Sequence, residues 1–214
     1  MLRIDLFTEI TCPWCIIGHH RLDKVLTERF PELEVDIRQH PVLLLPDAPA
    51  EGLYIPDLLR SRYGITDPKA SFARPETEAR ASGLALDLSR QLWTYRTQAA
   101  HGLILAARER GTQHQLAVAI TDAHFLDARN ISDADVLADI AEGYGFARDE
   151  ARAIALDPEQ HRRVEQEAAR SAASGVRSVP HFVFGERIAI NGGRSEEEIA
   201  SAIRDAANVA ASDS

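Results

Sequence analysis

The sequence contains little cysteine and no excess of positive charge, and both shortages exclude functions. Only two cysteines occur in 214 residues, Cys12 and Cys15, and they are separated by two residues. A disulfide across so small a loop removes little entropy from the unfolded chain, so the pair is a poor structural staple. The 33 acidic residues outnumber the 24 lysines and arginines, for a formal net charge of −9. This balance argues against nucleic acid or an anionic membrane surface as the main partner.

Long apolar runs and a secretory leader are also missing. No segment approaches the roughly 20 apolar residues of a membrane span. Residues 2–7 already alternate apolar and polar side chains and the cysteine motif follows at once, so we expect no secretory signal and a cytoplasmic location. In that compartment a vicinal cysteine pair is more often catalytic or metal-binding than structural. The content of 45% hydrophobic and 27% charged residues indicates a globular protein with a full core.

The N-terminal segment follows the pattern strand, helix, strand. The alternation over residues 2–7 predicts a strand, and Thr11 or Cys12 can cap a helix that begins at Pro13. Proline suits the first helical position, because an N–H there would be unpaired anyway. Alternation over residues 33–37 predicts a second strand and completes a βαβ unit with the cysteines at the helix entrance.

The rest of the chain divides into a helical block and a second β-rich segment. Residues 53–174 are rich in alanine, charge and helix start signals and poor in strand-like runs. Residues 176–184 and 187–190 form two short β-rich runs that predict an antiparallel hairpin. Acidic residues after Ser195 open a last amphipathic helix.

This order predicts one α/β domain with an insertion. Neither β portion could bury its faces alone, so the two must share one sheet. We therefore expect residues 1–50 and 175–208 to form the two halves of one domain. Residues 51–174 form the helical insertion, and residues 209–214 are expected to be a frayed tail.

The helix entrance is where the thiol chemistry is expected. At a helix N-terminus the sulfur of Cys12 faces unpaired backbone N–H groups and the positive end of the macrodipole, which favour the reactive thiolate. We expect this sulfur to be exposed and acidic. Cys15, one turn inside the helix, is expected to be buried and to act as the resolving thiol. Pro13 and Trp14 limit the surroundings of the pair, and Trp14 either stacks on a substrate or shields the disulfide.

A second candidate element lies in Val179-Pro180-His181. Proline cannot donate to a strand ladder, so Pro180 marks either an ordinary strand start or a cis peptide bond that leaves neighbouring backbone free for an extended substrate. His181 either lines this groove or faces the other side of the strand. Glu9, at the end of the first strand, either relays a proton to Cys15 or is solvated.

Taken together, these motifs resemble the DsbA-like thioredoxin-fold oxidoreductases, most closely the cytosolic FrnE-type branch. The resemblance rests on Asp5 to Gly18 (DLFTEITCPWCIIG), Thr97, Ala100-His101, Ile131-Ser132-Asp133, Val136-Leu137, and Gly175 to Pro180 running into Ile190. It implies a thioredoxin fold (βαβ…ββα) interrupted by a long α-helical insertion. It also implies that Cys12 is the nucleophile, that Cys15 resolves, and that Pro180 is cis and faces them.

The resemblance further implies a thiol–disulfide oxidoreductase that needs no metal or organic cofactor. Glutathione is a candidate redox partner, and the substrates are proteins or small molecules that contain a disulfide or a thiol. His101 matches a family position and is either a proton-relay or groove residue or a helix-packing histidine.

Three departures from the family pattern bear on substrate choice. Arg96 stands where asparagine is common, Ser178 replaces a usual glycine, and residues 191–194 (Asn-Gly-Gly-Arg) replace a small-residue turn that ends in glutamine.

Two other functions fit parts of the sequence. Glutathione-dependent kappa-class transferases and 2-hydroxychromene-2-carboxylate isomerases share the implied fold but do not need a second cysteine, so Cys15 disfavours them. A non-catalytic module could hold a peptide in the groove beside Pro180. A zinc site of both cysteines with His19 and His20 is disfavoured, because adjacent residues on a helix point about 100° apart. Both histidines are expected to be packed or solvated.

Overall fold

The computed structural model describes residues 1–212 and contains a four-stranded central sheet in the order β2-β1-β5-β6. Strand β1 (Leu2–Thr8) pairs in parallel with β2 (Val35–Pro41) and antiparallel with β5 (His181–Phe184). Strand β5 pairs antiparallel with β6 (Ile188–Asn191). The two ends of the chain therefore share one sheet, and the predicted α/β arrangement is confirmed.

Helices cover both faces of this sheet. Helix α1 (Pro13–Arg29) connects β1 to β2, and α9 (Glu196–Ser212) follows β6. Between β2 and β5 lie α2 (Ile55–Tyr63), α3 (Pro68–Ala81), α4 (Gln98–Ala106), α5 (Gln113–Phe125), α6 (Ala134–Ala141), α7 (Arg148–Leu156) and α8 (Pro158–Ala173). This helical block follows the predicted order βαβ, helices, ββα. None of the helices in the described part of the chain is both long and apolar enough to cross a membrane.

The helical block also contains a short element that the sequence does not predict. Strands β3 (Leu53–Tyr54) and β4 (Trp93–Thr94) pair antiparallel as a two-stranded ribbon. Two residues each are too few to show an alternating pattern, and two such short strands agree with a block that is poor in strand-like runs.

The alternation in β1 divides the two faces of the sheet. Leu2, Ile4 and Leu6 are buried and pack with Phe182 and Phe184 against α1 and α9. Burial of each such side chain contributes about 1.5–3 kcal/mol relative to exposure. The side chains between them on β1 point to the opposite face, toward α8.

The segment that carries the cysteines is anchored in two hydrophobic clusters of the helical block. Ile10, in the loop after β1, is 2% exposed and belongs to the cluster formed by α4 to α7. Ile16 and Ile17 of α1 pack instead with Phe72 and Phe125. The start of α1 is therefore fixed between the sheet and the insertion.

The predicted hairpin is confirmed, but its first strand starts later than expected. β5 begins at His181, directly after the cis Val179–Pro180 peptide bond. Three residues, 185–187, connect the strands; Gly185 and Glu186, with φ values of 57° and 62°, are the central residues of a turn closed by the hydrogen bond from the N–H of Arg187 to the carbonyl of Phe184 at 3.2 Å. Positive φ at both central positions matches the twist of the flanking strands.

The C-terminal helix extends further than the sequence predicts. Helix α9 runs to Ser212, so the first part of the expected frayed tail at 209–214 is helical. Residues 213–214 lie outside the described residues.

Candidate active site at the start of the first helix

The two cysteines are positioned by the turn that leads from β1 into α1. Cys12 is the N-cap residue of α1 and Pro13 occupies its first helical position, as predicted. The N–H of Cys12 donates to the carbonyl of Glu9 at 3.1 Å, and the N–H of Cys15 donates to the carbonyl of Cys12 at 2.9 Å. These bonds fix both thiols at the helix N-terminus.

Both cysteines are free thiols, and they differ in burial. Cys15 is 0% exposed, as expected for a resolving thiol, whereas Cys12 is 8% exposed. The prediction of an exposed sulfur at Cys12 is therefore wrong, although Cys12 remains more exposed than Cys15. The helix entrance is packed between the sheet and the insertion, with Ile10 in the core of the insertion, and only a small part of Cys12 is left in contact with solvent.

The pKa values of the two thiols move in opposite directions. The hydrogen bond from the Cys15 thiol lowers the pKa of Cys12, and the backbone N–H groups of Trp14 and Cys15 lower it further, against the effect of burial. Complete burial raises the pKa of Cys15 well above its ordinary value, and the hydrogen bond to Cys12 raises it further. The thiolate is therefore expected on Cys12, as the helix-entrance argument predicts.

A buried carboxylate and a buried histidine lie next to this pair. Glu9 is 1% exposed, and its two oxygens accept hydrogen bonds from the N–H groups of Ile10 at 2.8 Å and Leu44 at 3.0 Å. Helix α4 brings His101, 3% exposed, to Glu9, with 3.5 Å between Nε2 and Oε1. The negative charge of Glu9 also raises the pKa of both thiols.

The Glu9–His101 contact joins the two residues that the sequence offers as separate candidates for proton transfer. Within residues 1–212, Nε2 of His101 has no hydrogen-bond partner, since the geometry to Glu9 is too long for a good bond. A neutral or charged imidazole at this position can exchange a proton with the carboxylate after a small movement. No local sequence signal links the two residues.

Pro180 packs against helix α1, and its peptide bond to Val179 is cis, as the resemblance implies. A Cβ on Gly18 would lie 2.9 Å from Cγ of Pro180, so only glycine lets the ring approach α1 this closely. The carbonyl of Pro180 accepts a hydrogen bond from Gly192 at 2.7 Å. In the described part of the chain, the backbone N–H and carbonyl of Val179 have no partner.

Trp14 is half-buried and is contacted by the turn after β6 and by helix α3. A Cβ on Gly193 would lie 2.3 Å from Cε3 of the indole, so the turn after β6 must contain glycine at this position. The guanidinium of Arg74 lies over the indole, 5.3 Å from the ring centroid. The departure from the family pattern at residues 191–194 thus gives space to Trp14.

His181 is placed away from the thiols. Phe182 faces α1, so His181 points to the other side of the sheet, where its ring lies 5.5 Å from that of Phe7. Its Nδ1 is hydrogen bonded to Asn191. Together with Asp5 it lines a cavity of about 470 Å³ on the α8 side. The His181 side chain therefore lies on the face of the sheet opposite to α1, which carries the cysteines.

His19 and His20 are packed, as expected. The ring of His19 lies 5.7 Å from that of His114 and perpendicular to it, and burial lowers the pKa of His19 to about 3. His20 is hydrogen bonded through Nε2 to the carbonyl of Ser82 at 2.9 Å. Arg96, the other departure in the insertion, donates from Nε to the carbonyl of Ala48 at 3.0 Å.

A largely apolar cleft opens beside the cysteines. It has a volume of about 470 Å³ and begins at Thr11, Pro13 and Trp14. Its far wall is formed by α2 and α3, which contribute Leu58, Leu59, Arg62, Phe72 and Arg74. The sequence predictions missed these residues, because they carry no motif and lie far from the cysteines along the chain.

Comparison with known proteins identifies the fold. Residues 3–204 match the model of the DSBA-like thioredoxin domain. A probable DsbA oxidoreductase from Streptomyces coelicolor is 26% identical, with a TM-score of 0.86 over 97% of this chain and 91% of that chain. A 2-hydroxychromene-2-carboxylate isomerase is 13% identical, with a TM-score of 0.73 over 99% of both chains.

Another similar structure is a cytosolic disulfide reductase, DsbM from Pseudomonas aeruginosa, with GSH. It is 16% identical, with a TM-score of 0.66 over 96% of this chain and 99% of that chain. No curated protein matches the chain.

Proposed function

The chain belongs to the DsbA-like thioredoxin family, and from this premise we propose that it is a thiol–disulfide oxidoreductase acting through Cys12 and Cys15. The observation that carries the proposal is the asymmetry of the pair. Cys12 lies at a helix N-terminus with a lowered pKa, beside a fully buried Cys15 with a raised pKa. Cys12 is thereby suited to attack first, and Cys15 stays protonated until the second step, which is the order that disulfide exchange requires.

In the reductive direction, the Cys12 thiolate attacks one sulfur of a substrate disulfide. The substrate S–S bond breaks, a mixed disulfide forms at Cys12, and the first substrate thiolate leaves. Cys15 then loses its proton and attacks the sulfur of Cys12, which releases the second substrate thiolate and forms the Cys12–Cys15 disulfide. Two electrons pass from the dithiol to the substrate. In the oxidative direction the same steps run in reverse.

The second step needs a base, because burial keeps Cys15 protonated. We assign this role to Glu9, with His101 as the group that exchanges the proton with the carboxylate. Burial of the pair and the 3.5 Å separation of Nε2 and Oε1 support the assignment. A positioned general base contributes about 100-fold or more to a proton-transfer step.

The remaining predicted site residues bind the substrate in this proposal. Val179 offers an unpaired N–H and carbonyl beside α1, which suits pairing with an extended chain. Pro180 holds that segment against Gly18, and Pro13 and Trp14 form the edge of the cleft next to the thiol. His181 has no part in the exchange reaction, because it faces the α8 side.

We further propose a cytoplasmic enzyme of the FrnE-type branch that needs no metal or organic cofactor and that exchanges electrons with glutathione. The sequence has only two cysteines, and their spacing makes a poor structural staple, which fits a reducing compartment. The similarity to cytosolic DsbM, whose structure contains GSH, supports the choice of glutathione.

Trapping of the mixed disulfide tests the proposal. A Cys15→Ser variant cannot resolve and is expected to accumulate disulfide-linked partners through Cys12, whereas a Cys12→Ser, Cys15→Ser double variant traps none. Wild-type protein is expected to reduce insulin disulfides or to oxidise a thiol substrate. The proposal fails if the single variant traps nothing and the wild type has neither activity. A glutathione-dependent reaction on a small electrophile that survives Cys15→Ser would instead support the isomerase or transferase class.

A further inference from the structure

The cleft beside Cys12 differs in charge from the rest of the molecule. The whole chain has 33 acidic and 24 basic residues, Lys and Arg together. The described residues that line the cleft nevertheless include two arginines, Arg62 and Arg74, and neither aspartate nor glutamate. Locally the sign of the charge is therefore reversed next to the reactive thiol.

Arg62 of α2 has no acidic partner within residues 1–212. The nearby acid of the same helix, Asp57, is bound by Arg60, with 3.3 Å between Nη1 and Oδ1. The guanidinium of Arg62 lies 5.8 Å from the ring centroid of Tyr63, another residue of the cleft. Arg62 is exposed to solvent.

Arg74 of α3 is also left without an acid in the described part of the chain. Glu78, one turn further along α3, forms an ion pair with the buried Arg21 at 2.8 Å. The carboxylate of Glu76 accepts a hydrogen bond from a backbone N–H at 2.9 Å. Arg74 is exposed and lies over the ring of Trp14, so its charge is available at the cleft.

The apolar lining of the cleft, called its floor below, includes the leucines and phenylalanine of the far wall, and the cleft is large enough for a small molecule. Leu58, Leu59, Phe72, Leu88 and Phe125 contribute to it, and its volume is about 470 Å³. Sites for small ligands commonly measure about 300–1,000 Å³ and combine an apolar lining with a few placed polar groups. Here the placed groups are two guanidinium ions, which bind carboxylates through paired hydrogen bonds.

On the basis of the proposed function, we propose that the cleft selects small disulfides that combine an aromatic group with a carboxylate. The aromatic part packs on the apolar floor beside Trp14, and the carboxylate is bound by Arg62 and Arg74. The Cys12 thiolate attacks the nearer sulfur of the disulfide, the S–S bond breaks, and an aromatic thiolate leaves. Cys15 then closes the Cys12–Cys15 disulfide and releases the second thiolate.

Two aromatic disulfides of different charge test this inference. The probes are 5,5′-dithiobis(2-nitrobenzoate), which carries carboxylates, and 4,4′-dithiodipyridine, which is neutral. The reduced full-length protein is mixed with each, and thiolate release gives the two rate constants. The ratio of the anionic to the neutral rate is compared among wild type, Arg62→Gln, Arg74→Gln and the double variant. The ratio cancels any effect on the Cys12 thiolate itself, which both probes share.

We expect the double variant to lower this ratio by about 10-fold, since each exposed charge pair contributes a factor of about 2–5. Arg60→Gln is the matched control, because Arg60 lies on the same helix, is paired with Asp57 and does not line the cleft. The control is expected to leave the ratio unchanged.

An unchanged ratio in the double variant, or an equal fall in the control, would overturn the carboxylate part of the inference. Oxidised glutathione, which carries carboxylates but no aromatic ring, tests the other part. For each disulfide, the rate constant with the protein is divided by the rate constant with free cysteine. This quotient is expected to be smaller for oxidised glutathione than for 5,5′-dithiobis(2-nitrobenzoate), and equal quotients would contradict the aromatic preference. If neither aromatic probe reacts at Cys12, the proposed function itself fails, which is a distinct result.

Discussion

Replacement of Gly193 by alanine tests whether the turn after β6 holds Trp14 at the edge of the cleft. An added Cβ would lie 2.3 Å from Cε3 and 2.6 Å from Cζ3 of the indole, where ordinary contacts begin at 3.4 Å. Either the ring or the turn must therefore move by about 1 Å. Overpacking of this kind costs about 1–3 kcal/mol. At about 2–4 °C per kcal/mol for a chain of this size, we expect a fall in Tm of about 2–12 °C.

A double-mutant cycle with Trp14→Ala isolates this contact. Thermal and urea unfolding are measured for wild type, Gly193→Ala, Trp14→Ala and the double variant. Without the indole the new methyl group has space, so the cost of Gly193→Ala is expected to disappear in the Trp14→Ala background. Gly143→Ala is the control, because a Cβ there meets nothing within 4 Å. An equal cost of Gly193→Ala in both backgrounds would refute the reasoning.

Two further substitutions test the other walls of the site. Gly18→Ala places a Cβ 2.9 Å from the ring of the cis-proline and is expected to lower the free energy of unfolding in urea by about 1–3 kcal/mol. Gly102→Ala is the control, because the nearest atom to its Cβ is at 3.6 Å, and it is expected to be neutral or stabilising by up to about 1 kcal/mol. Similar losses in both variants would contradict the close packing. Glu9→Gln removes a charge that raises both thiol pKa values, so alkylation of Cys12 should shift to lower pH. The same variant lacks the proposed base, so closure by Cys15 in stopped-flow experiments should slow by about 100-fold, and unchanged closure would exclude the relay.

The sequence predicts those parts of the fold that follow from local rules. Alternation of Leu2, Ile4 and Leu6 with polar residues requires a strand with one buried face. Pro13 after a potential cap marks a helix start, and that start places both cysteines at the positive end of the helix. These features need no knowledge of the rest of the chain.

Contacts between distant segments could not be predicted in this way. The approach of His101 to Glu9 depends on how α4 packs against the loop after β1. The charge of the cleft depends on which arginine forms an ion pair with which acid. Arg21 pairs with Glu78, so that carboxylate does not pair with Arg74, one turn away on the same helix. Neither outcome has a counterpart in spacing or composition.

The direction of the His181 side chain could have been predicted from the sequence, although both directions were left open above. Adjacent residues in a strand point to opposite faces. An apolar Phe182 in a strand favours the core, so His181 has to face the other side, as it does. The low exposure of Cys12, in contrast, results from the packing of the helix entrance in the folded chain, which only the tertiary structure reveals.

The pH dependence of alkylation at Cys12 tests the central claim most directly. Reduced wild-type protein is treated with iodoacetamide over a range of pH, and peptide mass spectrometry measures modification of each cysteine separately. Because only the thiolate reacts, a lowered pKa predicts an inflection for Cys12 at lower pH than that of free cysteine treated in the same way, with Cys15 modified more slowly throughout. An inflection for Cys12 at or above that of free cysteine, or earlier modification of Cys15, would contradict the assignment of nucleophile and resolving thiol.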